Sequence, residues 1–406
     1  MIEHPTGNEN TRHAVLGLYA SGMLQSFHTC VACFQGSLSE RLARLRPLNL
    51  LMKRTLPAGL KPFTRLHPVK EILRIANRYV HWFQGITVDY VYHELDKTVA
   101  RYIHRNRKGI CAVYAYDEGA YYSFRQAKSD GIKCLFDLPI IHWRTYQRLL
   151  ASEREKHPGW AAILGIYDDS KEKLARKDQE LLMADHIFVA SSFTKESILK
   201  DFPYKMNATI DVVPYGFPPV NRHRKYRDAR NRKLNFLFVG RLVQSKGLSY
   251  LFESVKPFCE YINLTVVGDG EIDMCPDLRA ELALHKHIPQ LFHQDLLRLM
   301  AESDVLIFPS LFEGFGMVVT EAMSQGTPVL TTKSTCGLNF IKDGENGWLV
   351  KPASTVELKD KIRQILEERE RLEEIGRAAL NTAAQRPWSL YENELAEAIR
   401  RRLSKG

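Results

Sequence analysis

The residues best suited to chemistry are two carboxylates, Glu313 and Glu321, set eight positions apart around Gly314-Phe315-Gly316. A carboxylate accepts paired hydrogen bonds from neighbouring hydroxyls, as the acid on the ribose of dinucleotide folds does. Glycines carry no Cβ, so backbone amides near them can approach an anion or a polyol closely. The preceding Val305-Leu306-Ile307-Phe308 is short, apolar and β-prone, and reads as a buried strand. Strand, glycine-rich loop and helix together form a ligand shelf at the carboxyl edge of a parallel sheet, with Glu313 in the loop and Glu321 in the helix. The plainer reading of this segment alone is an ordinary βα unit with surface acids.

A second group lies upstream. Gly240-Arg241-Leu242-Val243-Gln244-Ser245-Lys246-Gly247 follows a strand pattern and precedes the helical Leu248-Ser249-Tyr250-Leu251-Phe252. Arg241 and Lys246, beside a helix N-terminus, would hold a diphosphate and stabilise it as it leaves. A basic pair in such a loop is, by itself, also a common surface feature. Val267-Gly268-Asp269-Gly270 ends the next strand in another glycine-rich turn. Taken together, the three turns describe a pocket for a nucleoside diphosphate. Glu321 would meet the ribose hydroxyls, and the amides from Gly314 to Met317 would lie near the attached group.

The elements that must position these residues alternate in type along the chain. In the first half, strands are predicted at Ile110 to Tyr116, Lys133 to Asp137 and His186 to Ala190, with a helix over 170–184 and a Ser191-Ser192 cap on the next. Ile2-Glu3 leaves almost no room for a first strand before His4-Pro5-Thr6-Gly7-Asn8. Pro214-Tyr215-Gly216-Phe217-Pro218-Pro219 marks a linker, which places a boundary near residue 218. A second set of strands begins at Leu234. The alternation predicts an α/β protein with parallel sheets, and 406 residues are long for one core, so two domains are expected.

Composition narrows the function classes. Hydrophobic residues make up 45% and charged residues 26%, a globular balance. No run approaches the ~20 apolar residues of a membrane span, and no signal-peptide pattern opens the sequence. Seven scattered cysteines read as reduced thiols of an intracellular protein. Cys30-x-x-Cys33 lacks a second pair at zinc spacing. The net charge is +10, and the stretch from Glu40 to Arg78 holds ten Lys or Arg against two Glu. Leucines are interleaved there, so this basic amphipathic stretch suits an anionic membrane face or, equally, a solvated surface. No nucleic-acid motif accompanies it, and no nucleic-acid partner is expected.

The Gly-Arg-x5-Gly segment at 240–247, Gly268-Asp269-Gly270, Pro309-Ser310-x-x-Glu313-Gly314-Phe315-Gly316-x4-Glu321-Ala322-Met323 and Gly326-Thr327-Pro328-Val329 together resemble glycosyltransferase family four. Asp343 to Val350 and Trp388-Ser389-Leu390-Tyr391 resemble that family's closing segments. The likeness is strongest from Leu234 onward. It implies a GT-B fold, with two Rossmann-like doubly wound domains facing a central cleft. Residues 1–218 would bind acceptor, 219–385 the sugar nucleotide, and 386–406 would form a helix crossing back. It also implies a retaining, metal-independent transfer of a hexose-type sugar from a UDP- or GDP-linked donor, with no further cofactor. No Asp-x-Asp occurs to suggest a metal-diphosphate bridge.

Carried onto this chain, Arg241, Lys246 and Glu313 would be catalytic. Gly240, Gly268, Gly270, Gly314, Phe315, Gly316, Met317, Val318 and Glu321 would bind the donor. Gly7, Asn8, Asp137, His142, Tyr215 and Gly216 would be candidate first-domain contacts, although a lone histidine such as His142 beside Trp143 is more often a structural residue. Many members carry a histidine at the end of the strand that here ends in Phe136-Asp137-Leu138-Pro139. The acceptor would be a glycan or a lipid-linked molecule of cell-envelope or polysaccharide synthesis. The protein would then be cytoplasmic, peripheral on the inner face of the membrane through residues 40–78. The rival readings are another GT-B sugar-nucleotide enzyme, an epimerase or hydrolase, and a non-catalytic sugar-nucleotide-binding protein.

Overall fold

The computed structural model describes residues 1–38, 40, 52, 54–80, 85–165 and 169–404. Two parallel sheets dominate it. The first holds β1 (Ile2–Glu3), β2 (Phe27–Thr29), β5 (Thr64–Leu66), β6 (Ala112–Tyr116), β7 (Lys133–Leu138), β8 (His186–Val189) and β9 (Thr209–Val212), in the order β5-β2-β1-β6-β7-β8-β9. The small pair β3 (Cys33–Phe34) and β4 (Thr55–Leu56) stands apart. The second sheet holds β10 (Leu234–Val239), β11 (Ile262–Val267), β12 (Lys286–Ile288), β13 (Val305–Phe308), β14 (Val329–Thr332) and β15 (Gly347–Val350), in the order β12-β11-β10-β13-β14-β15.

Within each sheet the chain runs outward one way, returns to the first strand and then runs outward the other way. That is the doubly wound order, and it opens a crevice beside the first strand at the carboxyl edge. Strands β6, β13 and β14 are buried along their whole length, because helices cover both faces.

The brief first strand is real. Ile2 pairs with Phe27 on one side and Tyr114 on the other, so two residues suffice in the middle of the sheet. After it, Gly7 adopts φ +57°, and its amide and that of Thr6 donate to His4 Nδ1 at 3.0 and 3.1 Å. Asn8 caps the helix Glu9–Ala20 by accepting from Thr11 N.

Two crossings of the chain meet between the sheets. Phe217 N donates to Arg386 O at 2.8 Å, and Arg386 Nη2 reaches Pro214 O. Gly216 has no room for a side chain, since a Cβ there would lie 2.3 Å from Trp388 Cα. The final helix, Trp388–Leu403, then packs on Glu9–Ala20. Gly17 permits that approach, because an added Cβ would meet Glu392 O at 2.4 Å. His13 stacks on Trp388 and reaches Glu392 at 2.6 Å, while Arg402 grips Asp211 with two bonds of 2.7 Å. One hydrophobic cluster runs from Phe27 and Tyr114 through Tyr215, Phe217 and Trp388 to Phe308 of the second sheet.

Part of the basic stretch, namely Arg41, Arg44, Arg46 and Lys53, lies outside the described residues. Two of its other cations are committed internally. Arg54 and Arg74 both bind the buried Glu71 at 2.7 Å. All seven cysteines are unbridged.

Candidate functional site

Strands β11, β10 and β13 are neighbours, so the turns that follow them converge at one point of the carboxyl edge. Glycine makes the convergence possible. Gly247 has φ +74°, and a Cβ on it would sit 2.1 Å from Pro309 O. On Gly268 a Cβ would fall 1.8 Å from Gly240 O. Either substitution would push the turns apart. Backbone bonds complete the join: Leu242 N donates to Asp269 O, and Leu311 N to Ser245 O, each at 2.9 Å.

Glu313 lies at the centre. Its carboxylate takes the Lys246 ammonium as a direct ion-pair partner and accepts from Ser310 Oγ at 2.7 Å. The Glu313 amide donates to Ser334 O at 2.9 Å, which fixes the loop from behind. Burial first, and then the nearby Glu313 carboxylate, push the Cys336 thiol well up, so it stays protonated beside the loop. Arg241 is exposed, and among the described residues no ion pair or side-chain hydrogen bond occupies it. Lys246 and Arg241 thus differ. One cation is seated on a carboxylate, and the other is open to solvent.

The glycine loop leads into the helix Met317–Ser324. Gly316 precedes it at φ +92° and supplies no side-chain cap, so the first amides, Met317 and Val318, have no such acceptor. Glu321 is one turn further on and pairs with His293 at 3.1 Å rather than with any member of the Glu313 group. Gly240 and Gly270 border the neighbouring turns; a Cβ on Gly270 would touch Leu242 O at 2.7 Å.

The first half closes over this edge. Gly314 O accepts from Ser191 Oγ at 2.7 Å and Thr194 Oγ1 at 3.0 Å. A Cβ on Gly314 would lie 2.0 Å from Pro139 O. Tyr146, on the helix Trp143–Lys156, packs its ring on Phe312 at 4.8 Å. Its phenol is raised by burial, lowered by Arg241 and raised by Glu313, so it feels both site charges. Sequence reasoning missed Tyr146 and Ser310. The only signal was their spacing, Tyr146 on a helix face and Ser310 three residues before Glu313.

The other first-half candidates divide. Tyr215 contacts Phe315 at 4.8 Å and accepts from Asn10 Nδ2 at 2.9 Å, so it touches the glycine loop directly. Asp137 is buried beneath it and accepts from Tyr114 Oη at 2.5 Å; burial raises its carboxyl to about 7. Gly216 belongs to the chain crossing, and Gly7-Asn8 to the helix start. His142 does not join the cluster. It caps the helix Trp143–Lys156, its backbone N donates to Ser197 Oγ at 2.9 Å, and its ring lies against Phe202. Burial lowers its pKa to about 4, so the ring is neutral.

Residues 220–382 match the family model of glycosyl transferases group 1. An uncharacterized glycosyltransferase of Methanocaldococcus jannaschii is 32% identical over 207 residues, which are 46% of this chain and 53% of the relative. A D-inositol 3-phosphate glycosyltransferase of Corynebacterium aurimucosum is 24% identical over 290 residues, 65% of this chain and 66% of the relative. The chain thus spans about half to two thirds of the length of the curated relatives it matches. Among solved structures, sucrose-phosphate synthase from Thermosynechococcus elongatus superposes with a TM-score of 0.64 at 18% identity, covering 100% of this chain and 99% of that one. The Anabaena protein HepE with UDP and glucose gives 0.63 at 17%, covering 98% of each. The fold is GT-B: two Rossmann-like halves facing across a cleft.

Proposed function

We propose that the protein is a glycosyltransferase of the retaining, metal-independent kind, moving a hexose-type sugar from a UDP- or GDP-linked donor to a glycan or lipid-linked acceptor. The observation that carries this reading is the Lys246–Glu313 pair with the open Arg241 beside it, at the crevice of the second sheet. The cations would hold the diphosphate, and the uncapped amides of Met317 and Val318 would add their partial charge. Glu321, held by His293, would take the ribose hydroxyls.

In the step itself, the bond between the sugar C1 and the diphosphate oxygen breaks and a bond from C1 to the acceptor oxygen forms. The acceptor's proton passes to the departing phosphate, so the reaction balances without a protein nucleophile. Arg241 and Lys246 stabilise the charge that develops on the leaving group. Glu313, already engaged by Lys246 and Ser310, orients the ammonium and the sugar instead of attacking.

Thermal melts with a panel of UDP- and GDP-sugars test the donor. A bound donor at ~100 times its dissociation constant stabilises by ~2.7 kcal/mol. Release of UDP or GDP that needs an added acceptor separates transfer from hydrolysis and from mere binding. No stabilisation by any panel member sinks the reading.

For the acceptor side we place the protein on the cytoplasmic face of an anionic membrane. Lys61, Arg65, Leu66, Val69 and Ile72 are all exposed around the start of the helix Pro68–Val80, so cations and apolar side chains share one surface. Each basic residue near such a surface contributes ~1 kcal/mol, screened by salt. Co-sedimentation with anionic vesicles should fall as salt rises and fall further in Val69→Asp/Ile72→Asp. Binding indifferent to salt and to anionic lipid removes this placement.

A further inference from the structure

The first half also grips the phosphate turn itself, through a buried carboxylate far along the Trp143–Lys156 helix. Glu153 is 3% exposed. Its Oε1 accepts from Gln244 Nε2 at 2.8 Å, and its Oε2 accepts from Tyr250 Oη at 3.0 Å. Both donors belong to the second half. Gln244 is fully buried, and its own Oε1 accepts from Ser249 N at 3.1 Å while Nε2 also reaches Ser249 Oγ at 2.5 Å. One side chain therefore ties the start of the following helix to the turn Gln244–Lys246 that carries the site ammonium.

The path continues without a break. Ser245 O accepts from Leu311 N and from Ser310 Oγ, and Ser310 in turn donates to Glu313. Around Glu153 the same arm is docked on the second half. Trp160 stacks near Phe252 at 6.1 Å, Cys275 Sγ lies 3.4 Å from Gly159 O, and His157 packs edge-on against Tyr250 at 4.7 Å.

A carboxylate buried this way has lost its hydration; His157 Nε2 on its own arm stands 3.8 Å away, and the hydrogen bonds from Gln244 and Tyr250 offset the cost only while the halves stay together. Opening the cleft would return Glu153 to water and leave Gln244 without its outer acceptor. The contact is therefore suited to a latch rather than to permanent glue. We propose that Glu153 is a positioning residue: through Gln244 it fixes the Gln244–Lys246 turn, and with it the Lys246 ammonium, to the first half, so the diphosphate site is complete only in the docked arrangement. The consequence for donor binding rests on the function proposed above, but the structural coupling does not.

Hydrogen exchange of the protein without nucleotide tests the coupling directly. Glu153→Ala and Gln244→Ala should each speed exchange of the 241–249 amides by about 10-fold or more, while β13 and β14 stay protected. Glu153→Gln, whose amide oxygen can still accept from Gln244 and whose NH2 can donate to the Tyr250 oxygen, should exchange like the parent. The double variant should be no faster than either single change. Titration with UDP and GDP should show the same order: about 10-fold weaker binding in both alanine variants and recovery in Glu153→Gln. Unchanged exchange in Glu153→Ala, or losses that add in the double variant, overturns the latch. Altered exchange in a protein that binds neither nucleotide keeps the latch and sinks the donor reading instead.

Discussion

Replacing Lys246 by alanine is expected to lower turnover of the sugar nucleotide by a factor of about 100 or more, because two losses coincide. The leaving diphosphate loses one of its two cations. The Glu313 carboxylate, left with Ser310 Oγ as its donor, loses its counter-charge. Lys246→Arg should recover little of this, since the planar guanidinium cannot occupy the seat of a compact ammonium between Glu313 and the Phe308 ring. Glu313→Gln should cost less than Lys246→Ala, and the pair should be far from additive, because each change removes the same contact. Steady-state release of UDP or GDP in the presence of acceptor reads all three. If Lys246→Ala keeps more than about a tenth of the parent turnover while nucleotide still binds, the ammonium does not serve the leaving group.

The parts of this site that could be read from sequence are those set by local rules. Val305–Phe308 is apolar without alternation because both faces of a parallel strand are covered. Gly247, Gly268 and Gly316 mark turns whose φ is positive, and that conformation favours glycine whatever surrounds it. Ser191 and Ser170 announce helix starts, and both accept from the backbone amide three residues on. What could not be read was set by docking between distant segments. Glu153 sits in Ser152-Glu153-Arg154-Glu155-Lys156, which has the look of a solvated helix face. Yet it is buried, bonded to Gln244 and Tyr250 of the second half. Likewise the bond between Lys246 and Glu313 joins residues 67 positions apart, and no spacing rule reaches that far. His142 shows the reverse case. A histidine near a candidate cleft invites a chemical role, yet its neighbours Ser197 and Phe202 make it a buried helix cap. The basic stretch lost part of its apparent surface charge for the same reason, once Glu71 was found holding Arg54 and Arg74.

Asp137→Asn is expected to stabilise the protein, and only as the pH rises. Asp137 lies one residue before the end of β7, where the sequence departs from the histidine that its resemblance implies, among Tyr114, Tyr116, Tyr215 and Tyr391. Burial raises its carboxyl from 3.8 to about 7, and the hydrogen bond from Tyr114 lowers it by less than burial raises it. The folded state therefore binds this proton more tightly than the unfolded chain. Below 3.8 the group is protonated in both states and contributes no difference. Between 3.8 and about 7 the unfolded chain has released the proton while the folded one retains it, so this group's contribution to stability falls steadily. Above about 7 the penalty is complete, on the order of 4 kcal/mol for a fully buried carboxyl. Asparagine keeps the shape and still accepts from Tyr114 Oη, but carries no charge to bury. Glu3, Asp96 and Glu180 are also raised by burial, so the absolute pH profile is shared among several groups. The difference between Asp137→Asn and the parent isolates one of them. Denaturant unfolding at about pH 5 and about pH 8 should show the gap widening towards the higher pH. A gap of equal size at both would mean that Asp137 is ionised throughout, with Tyr114 Oη donating to a charge rather than to an acid.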